Sequence, residues 1–112
     1  MPKLRRYAVI WSQIAVQDLD DIISFIAQES PGNAAKLWVH IRSEAEKLAI
    51  FPLRCRIVPE VAAAGLGALY RELLVGPYRI LLQIRNRDVW VVGVFDGRRD
   101  MEEILFHRLF LA

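Results

Sequence analysis

Three β-rich runs stand in tandem in the second half of the chain, Leu69 to Val75, Tyr78 to Arg85 and Val89 to Phe95. Only Gly76-Pro77 and Asn86-Arg87-Asp88 separate them, and both connections are turn chemistry. Connections this short join antiparallel neighbours, so the spacing predicts a three-strand meander. A sheet of this kind needs cover on one face, and the preceding sequence supplies it. Between Gln13 and Glu29, Ala15, Leu19, Ile22, Ile23 and Ile26 recur at helical spacing. Beyond Ser30-Pro31-Gly32, Ala34, Leu37, Trp38, Ile41, Ala45 and Leu48 form a second stripe. Two amphipathic helices joined so tightly make a hairpin.

The flanks complete the pattern. Leu4 to Trp11 (LRRYAVIW) is rich in β-formers and stops at Ser12, a good N-cap residue, which predicts an opening strand feeding a helix. Phe51-Pro52 ends the second helix, and Leu53 to Ala68 reads as a long loop. Asp100 caps a short terminal helix bearing Met101, Ile104, Leu105 and Leu109. The expected fold is α+β: an N-terminal strand, a two-helix hairpin, an antiparallel three-strand meander (β-α-α-β-β-β) and a short C-terminal helix. Residues 1–112 form one domain. The hairpin covers one sheet face and the opposite face is exposed.

A hydrophobic fraction of 54% over 112 residues suits a single packed core, and the charged fraction of 25% excludes a disordered chain. Neither a membrane span nor a secretory leader is recognisable, so a cytoplasmic protein is expected. Cys55 is the only cysteine, which excludes an internal disulfide and a cysteine-built zinc site. Phosphate-loop, dinucleotide and paired-histidine signatures are absent, so no cofactor or metal is expected.

The net charge is +2, and all cationic side chains except Lys3, Lys36 and Lys47 are arginine. Planar guanidinium forks favour an anionic partner. Arg71, Arg79, Arg85 and Arg87 fall in or beside adjacent strands, with Arg54 and Arg56 in the preceding loop, so a shared concave surface is expected. Alternation places Arg71 and Glu72 on opposite faces, Glu72 exposed. Tyr70 and Tyr78 read as packing residues, Cys55 as a passive thiol and His40 as a residue on the polar side of its helix. Trp11, Trp38 and Trp90 belong to the core or its edge, with Trp38 at the margin where a partner groove can form. Arg98, Arg99 and Asp100 follow a strand end as a solvated charge run.

Five segments taken together carry a family resemblance: WSQIAVQDLDDIISFI (11–26), SPGNAAKL (30–37), FPLRCRIVPE (51–60), YRELLVGPYRILLQI (70–84) and VWVVGVFDGRRD (89–100). In order and spacing the chain resembles the RelE/ParE superfamily of toxins from bacterial type II toxin-antitoxin modules, nearer to ParE-like members. It departs at Cys55, where the family often has glycine, and at Asp96, where a histidine is common. The resemblance implies a cytoplasmic growth inhibitor of the kind associated with plasmid stabilisation. It also implies a cognate antitoxin bound in a hetero-oligomer through Trp38, Arg71 and Arg79.

Two activities follow from it. ParE-like members bind and poison DNA gyrase, which implies Arg56, Arg71, Arg79, Arg98 and Arg99 as target-binding residues. RelE-like members cut mRNA on the ribosome, which implies Glu60 as base, Arg71 and Arg79 on the phosphate and His107 as the nearest acid. Asp96, Gly97 and Arg98 stand where such nucleases usually place His, Tyr or Lys, so the gyrase-binding reading fits better. A degenerate, non-toxic antitoxin-binding module is the remaining alternative.

Overall fold

The computed structural model describes residues 6–111; the expected strand residues Leu4 and Arg5, like Ala112, lie outside them. Five strands, β1 (Ala8–Trp11), β2 (Arg56–Ile57), β3 (Arg71–Val75), β4 (Tyr78–Arg85) and β5 (Asp88–Asp96), form one sheet in the order β1-β5-β4-β3-β2. The meander is β3-β4-β5, with Val75 opposite Tyr78 and Arg85 opposite Asp88. Gly76 takes φ 57° at the first position of its two-residue turn, a conformation glycine adopts without steric cost. β1 lies parallel to β5, Val9 beside Val89. The helices between them provide the crossover that a parallel pair requires.

Helix α1 (Gln13–Ala27) is capped by Ser12, whose Oγ accepts from the Ala15 N–H at 3.2 Å. Helix α2 (Pro31–Glu46) is capped by Ser30, which accepts from Asn33 N–H at 3.3 Å, and it starts with proline where no N–H is needed. Their stripes close over one face of the sheet. Ala15, Leu19, Ile41, Ala45 and Leu48 pack on Val75, Tyr78, Ile80, Leu82, Val89, Val91 and Val94. Each large side chain buried here contributes about 1.5–3 kcal/mol. The α+β class expected from the sequence is the observed one.

The opposite face is not exposed, contrary to expectation. Val58, Val61, Leu81, Phe95, Met101 and Leu105 form a second buried cluster on it. Its cover comes from α4 (Met101–Phe106) and from the segment expected to be a loop. That segment contains a 3-10 turn (Pro52–Arg54), β2, the single turn α3 (Pro59–Val61) and a π-helical turn (Ala62–Leu66) interrupted at Gly65, φ 86°. Prolines and glycines keep each piece too short to show a period. A bulge opposite Leu81 and Leu82 also changes the phase of β5, so that Val91 and Val94 face the hairpin and Phe95 the other side. Gly93 accommodates that ring: a Cβ there would stand 2.5 Å from Phe95 Cε2. Among the described residues no helix is long and apolar enough to cross a membrane.

Candidate functional site

Glu72 and Arg79 face the second side of the sheet, because Glu72 pairs with Leu81 and Arg79 with Phe95, both members of that cluster. They are its buried polar residues, 1% and 8% exposed. Arg79 Nε donates to Glu72 Oε1 at 2.6 Å, while its terminal nitrogens hold Glu60 in a fork, Nη1 to Oε2 at 2.9 Å and Nη2 to Oε1 at 2.5 Å. Arg56, directly across from Glu72 on β2, donates Nε to Glu72 Oε2 at 2.5 Å. The result is a chain of alternating charge, Arg56–Glu72–Arg79–Glu60, running from the sheet edge to α3. Burial requires this arrangement, since an unpaired charge there would cost several kcal/mol. Hydrogen bonding from Arg79 holds the Glu60 carboxyl below its ordinary pKa, and Glu60 in turn raises that of Arg79.

Arg71 lies on the opposite face. Its Nη1 donates to the Cys55 carbonyl at 2.8 Å and to the Leu53 carbonyl at 3.3 Å, pinning the chain ahead of β2. The expected convergence of Arg71 and Arg79 on one surface is therefore corrected: neighbouring strands carry them, but with opposite side-chain phase. Arg85 and Arg87 are at the other end of β4, where Arg85 stacks over Trp90 at 5.3 Å and Arg87 over Tyr7 at 4.7 Å. Glu72, expected to be exposed, is the most buried charge described.

The turn after β5 carries two further solvent-facing cations, Arg98 and Arg99. Arg98 donates Nη2 to Asp96 Oδ2 at 2.7 Å and Nε to Oδ1 at 2.9 Å, which lowers the pKa of Asp96. Arg99 is exposed on the rim of a depression of about 830 Å³ between α1 and the C-terminal segment. His107 lines the same depression beside Arg108, whose fork grips Asp18 at 2.8 and 3.0 Å. Glu60 lines a different depression, with Phe106 and Phe110. Glu60 and Arg79 are thus joined to each other, while His107 opens into a separate depression and Arg71 is on the far face.

Trp38 is 42% exposed on α2. Arg42 stands between it and Trp11, its guanidinium carbon 5.4 Å from one ring centre and 5.0 Å from the other. Arg42 escaped the sequence reading, although its spacing of four from Trp38 places the two on one helix face. Cys55 is buried, with Arg54 Nη1 donating to its sulfur at 3.7 Å. Among the described residues, no group of three His, Cys, Asp or Glu is placed to hold a metal ion.

The comparisons with known proteins agree with this architecture. A model of the ParE toxin of the type II toxin-antitoxin system, parDE, matches residues 9–101. The chromosomal ParDE toxin-antitoxin system from P. aeruginosa gives a TM-score of 0.67 at 16% identity, over 82% of this chain and 97% of that one. The RelBE2 toxin-antitoxin complex from Mycobacterium tuberculosis gives 0.55 at 20% identity, over 86% and 97%. Curated proteins yield no sequence match. With a family match across most of its length and the same fold in both solved systems, the chain belongs to the ParE toxin family of type II toxin-antitoxin systems.

Proposed function

We propose that this toxin acts in the cytoplasm by binding DNA gyrase rather than by cutting RNA, and that its cognate antitoxin neutralises it in a hetero-oligomer, as in modules of the plasmid-stabilising kind. One observation carries the choice: the fork of Arg79 is filled by Glu60, and its Nε by Glu72. RNA cleavage needs unoccupied cations around the phosphate with a base and an acid in reach. Here the arginine and the carboxylate neutralise each other, Arg71 is spent on backbone carbonyls, and His107 opens into a separate depression. Gyrase as the target follows from the resemblance to ParE-like toxins. In this reading the solvent-facing Arg56, Arg98 and Arg99 contact the target, while Arg71 and Arg79 hold the surface in shape. Trp38 belongs to the antitoxin contact.

Expression alone is expected to arrest growth, and co-expression of the adjacent small open reading frame to rescue it. Purified protein is expected to inhibit gyrase supercoiling and to leave a translated message uncut in primer extension. Arg99→Ala is expected to weaken inhibition in part, because neighbouring contacts remain. Site-specific cuts in the message, abolished by Glu60→Gln, would transfer the assignment to ribosome-dependent cleavage. Harmless expression at high level would favour the non-toxic binding module.

A further inference from the structure

Among the described residues, two that are not glycine hold a positive φ, Asn86 at 55° and Phe51 at 51°. Asn86 stands in the turn between β4 and β5, where asparagine tolerates that conformation. Phe51 has no such excuse. A bulky side chain is a steric outlier in the left-handed region, and the ring of Pro52 restricts the residue before it to extended backbone. The side chain adds little to the core, since Phe51 is 63% exposed and no described ring or guanidinium stacks on it. Strain held without a packing gain points to a contact outside the chain.

The segment that presents Phe51 is braced. Arg54 N–H bonds the Phe51 carbonyl and Cys55 N–H the Pro52 carbonyl, each at 3.1 Å, and Pro52 and Cys55 are buried. Arg71 ties down the carbonyls of Leu53 and Cys55. Leu53 is exposed beside Phe51, and the exposed Leu74 lines a depression of about 300 Å³ together with Arg54 and Arg56. Both arginines are exposed, and among the described residues Arg54 is in no salt bridge. A surface fixed in this way loses little freedom when it binds.

A nucleic-acid strand takes successive rings for its bases. Here a single ring is joined by the aliphatic Leu53 and Leu74, which offer no stacking plane. An aromatic anchor among apolar contacts, with arginine around it, is the composition of a protein–protein interface. We infer that Phe51 is the anchor through which the toxin docks on its protein target. The ring enters an apolar pocket of that target, Leu53 and Leu74 flank it, and Arg54 and Arg56 meet carboxylates on the pocket rim. The inference rests on the reading above that the toxin acts by binding a protein; it does not need that protein to be gyrase.

Phe51→Gly is the decisive variant, because glycine adopts the left-handed backbone freely while the ring is lost. Its melting temperature is expected to be no lower than that of the wild type, and the antitoxin is expected to co-purify with it as before. Growth arrest is expected to be lost, and binding to purified gyrase, measured without DNA, to weaken at least about tenfold. Arg54→Glu is expected to weaken that binding by a similar factor. Phe25→Ala removes a still more exposed ring from ordinary helix and is expected to change none of these. A lowered melting temperature in Phe51→Gly would make the ring structural, and undiminished growth arrest would leave it without a role. Loss of binding to a DNA duplex in place of gyrase would transfer the patch to nucleic acid. Each of these outcomes would overturn the inference. Growth arrest that depends on Phe51, with no binding of gyrase by the wild type, would unseat gyrase as the target and leave the anchor standing.

Discussion

The two faces of the sheet are built on different principles. The face under α1 and α2 is apolar, closed by two long helices whose stripes match it. The other is covered by short pieces and carries a four-member charge chain from Arg56 to Glu60 through its interior. The first face draws its stability from area, which is distributed and forgiving. The second depends on a few paired groups, because Glu72 or Arg79 left alone becomes a buried charge.

The strongest way to break this contrast is Glu72→Ala. It removes the acceptor of Arg79 Nε and leaves that guanidinium only its fork to Glu60, and is expected to cost about 1.5–3 kcal/mol in urea unfolding. Replacing both inner members, Glu72→Leu with Arg79→Met, removes the two buried charges together, leaves the more exposed Arg56 and Glu60 at the ends, and is expected to recover a large part of that loss. A double variant as unstable as the single one would show that the chain does not act as an electrostatic unit. The next effect comes from Gly97, where a Cβ would meet Arg79 Cδ and the Pro77 carbonyl oxygen, each at 2.9 Å. Gly97→Ala is expected to cost about 1–3 kcal/mol through overpacking. Gly32→Ala on α2 meets nothing within 4 Å and is expected to have the opposite sign, a gain of about 0.4–1 kcal/mol.

The same contrast explains what could be seen in the sequence. The hairpin is legible because a helix of 15 or 16 residues repeats its apolar stripe several times, and both caps are serines one residue before the start. The meander is legible because Gly76-Pro77 and Asn86-Arg87 mark its corners. The second face leaves no comparable signal. Pro59, Gly65 and Gly67 divide its cover into pieces shorter than a full period, and Phe95 reaches it only through the bulge in β5. Glu72 was the available hint: an acidic residue between Arg71 and Leu73, on a strand whose hairpin partner supplies Arg79. Which face each of them takes depends on register, and that placed Arg71 with the hairpin and Arg79 with Glu72.

A smaller effect is expected from the attachment of α4. Asp100 Oδ1 accepts from the Glu103 N–H at 3.2 Å and caps the helix. Asp100→Ala is expected to cost about 1 kcal/mol in thermal unfolding and to speed amide exchange at Leu105, which α4 contributes to the second cluster. Exchange at Leu19, under the hairpin, is expected to stay unchanged. Equal acceleration at both residues would mean that the two faces open together and would remove the distinction drawn above.

The smallest effect separates the faces by pH. Hydrogen bonding from Arg79 depresses the pKa of Glu60 from 4.5, so the carboxylate binds protons less readily in the folded chain than in the unfolded one. Its contribution is therefore fully present above the unfolded value and lost as pH falls through the folded one. Glu60→Gln keeps an acceptor for Arg79 and removes the titration. The stability gap between wild type and Glu60→Gln is expected to be constant from neutral pH down to about 5 and to shrink below about 4.5, where the wild type begins to take up the proton. Asp96 is depressed by Arg98 and responds in the same acidic range, but it titrates in both proteins and cancels from the difference. Urea midpoints along an acid series measure the gap. If it stays constant down to strong acid, the hold of Arg79 on Glu60 is a hydrogen bond without a charge component, and the second face is less electrostatic than its geometry implies.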